Sequence, residues 1–261
     1  MIGRPASFGE GNMMLRTKLF PAALLALAPS PALADVTARY GVDGKELVVE
    51  VDEGGNSRVE LAGKFAIIRR DGTDYLVVHE KAGPKVFEFQ AVAALFKTAL
   101  PKAAAPEAEK MRFGIEPGPA SAAVAGRVGS VWLLRMVEGT ERNRKQHVEI
   151  VMSPDPQLAP VGQAIARAAD VALDFMGGFL PESTQFGASA RAILAKGAPL
   201  RVQPIDSGKP DKTVLELRSV DGAEIDPGHF VLPAPVTPTE EIFGSMDALM
   251  RPGAGKIENL P

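Results

Sequence analysis

The chain contains no cysteine. That absence removes thiol catalysis, thiolate metal sites and redox exchange together. A protein of 261 residues can build its own core without disulfides. Histidine is scarce: His79, His147 and His229 are far apart, and none forms the close helical pair of a metal site. No Gly-x-Ser-x-Gly elbow occurs; "GASA" at Gly187 lacks the final glycine. "RPGAGKI" near Lys256 falls short of a phosphate loop, with Met250 in place of the first glycine and Ile257 in place of the Ser/Thr. Excess positive charge is also missing. The formal net charge is −3, which argues against nucleic acid and against an anionic membrane surface as partners. No cofactor is implied.

The longest apolar stretch lies in "LRTKLFPAALLALAPSPALADV", residues 15–36. Arg16 and Lys18 precede a short apolar core from Leu19 to Leu27, which breaks at Pro29 and Pro31 and ends in Ala32-Leu33-Ala34. Charge, apolar core and small-x-small site, in that order, describe a secretory signal peptide. A membrane-spanning helix needs roughly 20 apolar residues, so an integral anchor is not expected. Cleavage is expected after Ala34, placing the mature protein in the periplasm. Met13 or Met14 would make a more ordinary start, so residues 1–12 read as an over-long beginning. No cysteine follows the leader, which closes the lipoprotein route. Removing Arg4, Arg16, Lys18 and Glu10 moves the net charge from −3 to −5.

Beyond the leader the chain is patterned as strands. "KELVVEVDEGGNSRVELAG" holds two alternating segments around Gly54-Gly55-Asn56, and "FAIIRRDGTDYLVVHE" holds two more around Asp71-Gly72. "PKVFEF" is a further strand, and "QAVAALFKTAL" is an amphipathic helix that Pro101 stops. "PKAAAPEAEK" reads as an exposed loop. "MRFGIE", "SAAVAGRV", "SVWLLRMVE" and "QHVEIVM" resume the strands, with the charged loop "GTERNRK" before the last. A long helix comes next, capped by Asp155, with Pro156 at its first position and Gly177-Gly178 at its end. Its apolar stripe includes Leu158, Val161, Ile165, Ala168, Ala172 and Phe175, with Gln163, Arg167, Asp170 and Asp174 facing outward. A second helix spans roughly residues 185–196. "APLRVQPI", "KTVLELRSV", a turn at Asp221-Gly222 and "HFVLPAP" complete the strand pattern. In the proline-punctuated tail, Thr237 and Glu240 suggest a capping box for a short helix bearing Ile242, Phe243, Met246, Leu249 and Met250. That helix docks either on its own domain or on a partner.

These patterns predict a β-rich α+β domain: a curved antiparallel sheet or unclosed barrel of about a dozen strands, with two or three helices covering the concave face. The expected organisation is a signal peptide at 1–34, one domain at 35–235 and a Pro-rich tail at 236–261. Four stretches, "SRVELAGKFAIIRRDGTDYLVV", "VEIVMSPDPQLAPVGQAI", "AKGAPLRV" and "DPGHFVLPAP", resemble landmarks of a family of exported bacterial domains related in architecture to the periplasmic lipoprotein-carrier (LolA-like) group. The resemblance implies an open antiparallel barrel with helices over its concave opening. It carries structural landmarks and no catalytic residues.

Three functions are open on this reading. The first is a non-catalytic carrier for a hydrophobic ligand, a lipid or lipoprotein acyl chain. Its cavity would be lined by Phe65, Ile67, Val77, Phe87, Phe89, Trp132, Leu158, Ile165 and Phe175. Trp132, in an apolar strand, also reads as core packing. The second is an interaction or assembly module for an envelope protein. The third is a hydrolase, which requires one of the three histidines to meet carboxylates within about 3 Å in a cleft. His147 and Glu149, on one strand face, are open both to that chemistry and to a solvated face.

Overall fold

The computed structural model describes residues 35–99, 113–136, 146–179, 183–206 and 209–245. The leader, the 101–110 stretch, the 139–145 loop and the tail beyond residue 245 lie outside them.

Alternating apolar residues and glycine turns produce a run of hairpins: β1 (Val36–Val42), β2 (Lys45–Val51), β3 (Ser57–Leu61), β4 (Phe65–Arg70), β5 (Thr73–Glu80) and β6 (Gly83–Glu88). Asp71 and Gly72 take φ of 49° and 81°, the two-residue turn whose twist matches its flanking strands. Asp43 and Gly44 do the same at 47° and 77° and close the β1–β2 hairpin, which the alternation starting at Lys45 does not reveal. After α1 (Phe89–Ala99) come β7 (Phe113–Val124), β8 (Arg127–Met136) and β9 (His147–Ser153). "MRFGIE" and "SAAVAGRV" are therefore not two strands. Phe113–Glu116 and Ser121–Val124 belong to one strand, β7, interrupted by a bulge between Pro117 and Ser121, while Ala125-Gly126 makes the turn and Arg127-Val128 begin β8.

Two helices, α2 (Ala159–Phe179) and α3 (Ser183–Leu194), separate β9 from β10 (Ala198–Asp206). Asp155 caps a 3-10 turn at Pro156–Leu158, accepting from the Gln157 amide at 2.9 Å, and α2 continues from it. The helix passes through Gly177-Gly178 and ends at Phe179. A two-residue strand, β11 (Lys209–Pro210), and β12 (Leu215–Asp221) complete the set.

These twelve strands form one antiparallel sheet in the order β6-β5-β4-β3-β2-β1-β12-β10-β9-β8-β7, with β11 beside β10. Among the described residues no ladder joins β6 to β7, so the barrel is unclosed. β1 sits at the junction of the two meanders, between β2 and β12. β7 is an edge strand, and Pro117 and Pro119 in it lack the N–H that an incoming strand would need.

The principal core lies on the inner, concave face. Ala38 and Tyr40 of β1, Val49 and Val51 of β2, Val59 of β3, Val131 and Leu133 of β8, Val151 of β9, Leu200 of β10 and Leu217 of β12 pack there against Leu158 of the 3-10 turn and Val161 and Ala164 at the start of α2. Full burial of such side chains contributes roughly 1.5–3 kcal/mol each. Gly162 lets the helix approach closely: a Cβ there would lie 3.0 Å from the backbone N and Cα of Ala198. α1 covers the far end of the same face through Val92, against Val78 and Phe87. α3 differs from the expectation that the helices share the concave side. It packs behind the sheet, where Ile193 and Phe186 meet Trp132, Leu134, Ile150 and Met152.

"HFVLPAP" is not a strand. Pro227–Phe230 forms a 3-10 turn, and the chain then crosses the outer face as an irregular strap. Pro233 and Pro235 supply no ladder donors. The strap touches the β6 edge through one parallel bridge, Val86 to Val236, and the Thr237 amide donates to the Val86 carbonyl at 2.7 Å. It then turns over the edge. Ile242 becomes fully buried with Val78, Phe87 and Val92, Lys85 pairs with Glu241 at 3.2 Å, and Ser245 donates to Glu80. The predicted capping box does not form: Pro238 is the N-cap and makes no side-chain cap bond.

Candidate functional site

The hairpin registers decide which candidate residues face inward. Leu47 pairs with Leu61, Leu61 with Phe65, and Ile67 with both Val59 and Leu76. Paired residues share a face, so Leu47, Leu61, Phe65, Ile67 and Leu76 form an apolar strip across β2–β5 on the concave side. All five are only half-buried, beside a core whose members are closed to solvent. Leu158, at the end of the 3-10 turn, and Ile165 of α2 share a cluster with Leu47 and Ile67 of this surface, Leu158 fully buried and Ile165 half-buried. Phe87 and Phe89 are buried at its α1 end.

Two predicted lining residues lie elsewhere. Val77 pairs with Ala66 and packs on the outer face with Ile68 and Val86, under Leu232 and Ala234 of the strap. Trp132 packs on the outer face as well, with the Lys196 ammonium 3.8 Å from its ring centroid. Phe175 lies in α2, and its side chain is outside the described residues.

One end of the concave face is polar. Ser57, Arg69 and Asp74 stand side by side on β3, β4 and β5. Arg69 donates to Asp74 at 2.9 Å. Arg167 does not face outward from α2, as its place on the helix wheel predicts. It is half-buried and donates to the Ser57 hydroxyl at 3.4 Å. Burial lowers the Arg167 pKa from its ordinary value, and the like charge of Arg69 acts in the same direction, while Asp74 opposes both. Nothing in the hydrophobic period of α2 marks this inward turn; only the packed sheet shows it.

Further along the concave face, Tyr40 is fully buried and its hydroxyl has no hydrogen-bond partner. Burial raises its pKa well above the ordinary tyrosine value. Tyr40 is not among the predicted lining residues, although Val36, Ala38, Tyr40 and Val42 alternate with Thr37, Arg39 and Gly41 and so mark the β1 strand.

Described residues line three well-formed clefts among others. One of about 530 Å³ is polar and lies by the β1–β2 turn, with Gly41, Lys45, Lys212 and Arg218 in its wall. A second of about 370 Å³ runs between Phe113, Leu134 and Phe186, rimmed by Asp206 and Asp211. The third, of about 450 Å³, separates the start of α2 from the end of α3. None of the three is walled by the predicted aromatic lining residues.

The histidines are dispersed. His229 Nδ1 lies 2.9 Å from Glu50 Oε1 on the outer face, where Arg58 also holds the His229 carbonyl at 3.0 Å. His79 Nε2 is 3.8 Å from Glu60. Glu149 is held by Arg201 at 2.6 Å. Neither His229 nor His79 borders any of the three clefts; His147 borders the second. Among the described residues no group of three or more His, Asp or Glu could hold a metal ion. Among them, too, no helix is long and apolar enough to cross a membrane.

No protein-family model matches the chain, and no curated protein matches it. Several solved structures are similar. PNGF-II, in a C2 crystal form, is 10% identical over 75% of this chain and 29% of that one, with a TM-score of 0.35. MucB in complex with MucA(peri) is 13% identical over 78% and 56%, with a TM-score of 0.32. MucB alone is 11% identical over 78% and 58%, with a TM-score of 0.33. The chain thus spans less than two thirds of each of these proteins. At TM-scores this low the likeness carries no functional argument, and function must be read from the chain's own residues.

Proposed function

We propose that the chain is an exported, non-catalytic binding protein of the bacterial periplasm, which holds an apolar chain such as the acyl group of a lipid or lipoprotein against its concave face. The supporting observation is the half-buried strip Leu47, Leu61, Phe65, Ile67 and Leu76. Leu47, Ile67 and Leu76 pack on buried neighbours yet keep part of their surface open to water, and such partly covered apolar surface is where a ligand completes burial. A flexible alkyl chain laid along it would recover roughly 25 cal/mol for each Å² removed from water. The N-terminal pattern supports the location. Asp35, the residue that cleavage after Ala34 would expose, already has a structural role, accepting from the Glu53 amide at 3.0 Å and the Ile225 amide at 2.6 Å. The pairing of His229 with Glu50 is read as structural, since it fastens the strap rather than lining a cleft.

The test is expression of the whole chain in a bacterium followed by native mass spectrometry of the protein recovered from its periplasm. The expected result is a population carrying lipid-sized adducts, which Leu61→Asp removes while circular dichroism stays unchanged. A mature mass that does not begin at Asp35 overturns the cleavage site, and absence of the protein from the periplasmic fraction overturns the export reading. Adduct-free protein that also fails to bind added dodecyl chains overturns the carrier reading.

A further inference from the structure

Among the described residues, the inward arginine on α2 has too few acceptors. Arg167 is the only basic residue in the helix, and it stands beside a stripe that is otherwise apolar and packed on the sheet. A guanidinium carries five N–H donors. The contact made here is a 3.4 Å bond to the Ser57 hydroxyl, long for a charged donor. The carboxylate whose charge reaches it, Asp74, is already held by Arg69 at 2.9 Å. One anion therefore serves two cations on a half-buried surface. A partly desolvated charge is costly unless paired and hydrogen-bonded. Two neighbouring guanidiniums with one carboxylate leave a local surplus of one positive charge, with planar donors suited to bidentate binding of a carboxylate or phosphate. The direction of the Arg167 pKa, lowered first by burial and then by Arg69, agrees with an incompletely compensated charge.

Position gives this surplus its meaning. Ser57, Arg69 and Asp74 lie on the same face and the same three strands as the apolar strip. Ser57 is two residues from Val59 on β3, Arg69 two from Ile67 on β4, and Asp74 two from Leu76 on β5. The concave face is thus amphipathic along the strand direction, apolar over β2–β5 and cationic where Arg167 comes down from α2. We propose that Arg167 and Arg69 form an anion site for the head group of an amphiphile, a phosphate or carboxylate, whose alkyl chain lies on the strip. This inference rests on the carrier reading above and adds the chemical class of the ligand.

Isothermal titration of the whole mature chain, below micellar concentrations, tests it with three probes: dodecyl phosphate, dodecyl maltoside and inorganic phosphate. The expected order has dodecyl phosphate binding about tenfold tighter than the maltoside, the worth of one charge-assisted hydrogen bond, and inorganic phosphate weakest. Arg167→Gln should bring the two dodecyl probes to within about twofold, whereas Arg167→Lys should retain much of the preference because it keeps the charge. A merely structural arginine predicts something else: both variants lose melting temperature while the preference persists, and that result overturns the proposal. Equal binding of the two dodecyl probes by the unaltered protein overturns the anion site and leaves the carrier reading standing. Binding of neither overturns both. Inorganic phosphate binding as tightly as dodecyl phosphate assigns the site to a free anion and overturns the amphiphile.

Discussion

Ile242 allows a quantitative test of how firmly the C-terminal strap belongs to the domain. Its side chain is fully buried against Val78, Phe87 and Val92, at the point where the chain has turned from the outer face to the inner one. Ile242→Ala removes apolar carbons worth roughly 0.8 kcal/mol per buried methylene, and the cavity left among three packed neighbours adds to that. Large-to-small core substitutions of this kind cost about 2–5 kcal/mol, and a value of about 3 kcal/mol is expected here. For a domain of this size that corresponds to a fall in melting temperature of about 6–12 °C. Urea unfolding measures the cost, and hydrogen exchange adds location. The Thr237 amide, bonded to the Val86 carbonyl, should lose protection before the β2–β4 amides do, because the polar contacts Lys85–Glu241 and Ser245–Glu80 sit on the same strap. A loss under about 1 kcal/mol, far below the expected core range, with Thr237 exchange unchanged, would show that the strap is not anchored by this side chain.

Three further outcomes are expected. Gly162→Ala places a Cβ 3.0 Å from the Ala198 backbone, which cannot rotate away, so stability should fall by about 1–3 kcal/mol in urea. Asp35→Ala removes the acceptor shared by the Glu53 and Ile225 amides and should cost about 1–3 kcal/mol in the same assay; no loss would mean that water replaces it freely. Tyr40 has a raised folded pKa caused by burial, so its contribution to stability is fully present below the unfolded tyrosine value of about 10 and is lost as pH climbs above it. In an alkaline titration followed at 295 nm, the Tyr40 phenolate should therefore appear together with the loss of circular dichroism. Ionisation of Tyr40 in a still-folded protein would contradict its burial.

The architecture is largely legible in the sequence because it is written in local chemistry. Asp71-Gly72 demands positive φ at two consecutive residues and sets the β4–β5 register by itself. That same register places Val77 opposite Ala66 and away from Ile67, so strand parity alone is enough to put Val77 on the outer face, against its inclusion among the lining residues. Asp43-Gly44 carries the same turn chemistry for the β1–β2 hairpin, and Val36, Ala38, Tyr40 and Val42 alternate with Thr37, Arg39 and Gly41 just before it. Trp132 is different. "SVWLLRM" is apolar on both faces, and alternation cannot say which side a residue takes when both are covered.

Period, turn chemistry and caps determined from the sequence alone that this chain would be a β-rich open sheet with a capped, broadly apolar helix laid against it, because each of those signals acts within a few residues. Tertiary structure alone decided the rest: that α3 passes behind the sheet, that the proline-rich segment becomes a strap over the β6 edge, and that Arg167 turns inward to stand beside Arg69 and Asp74. Such pairings join residues far apart along the chain, and nothing local encodes them. They exist only once a curved sheet has brought its concave face under the helix.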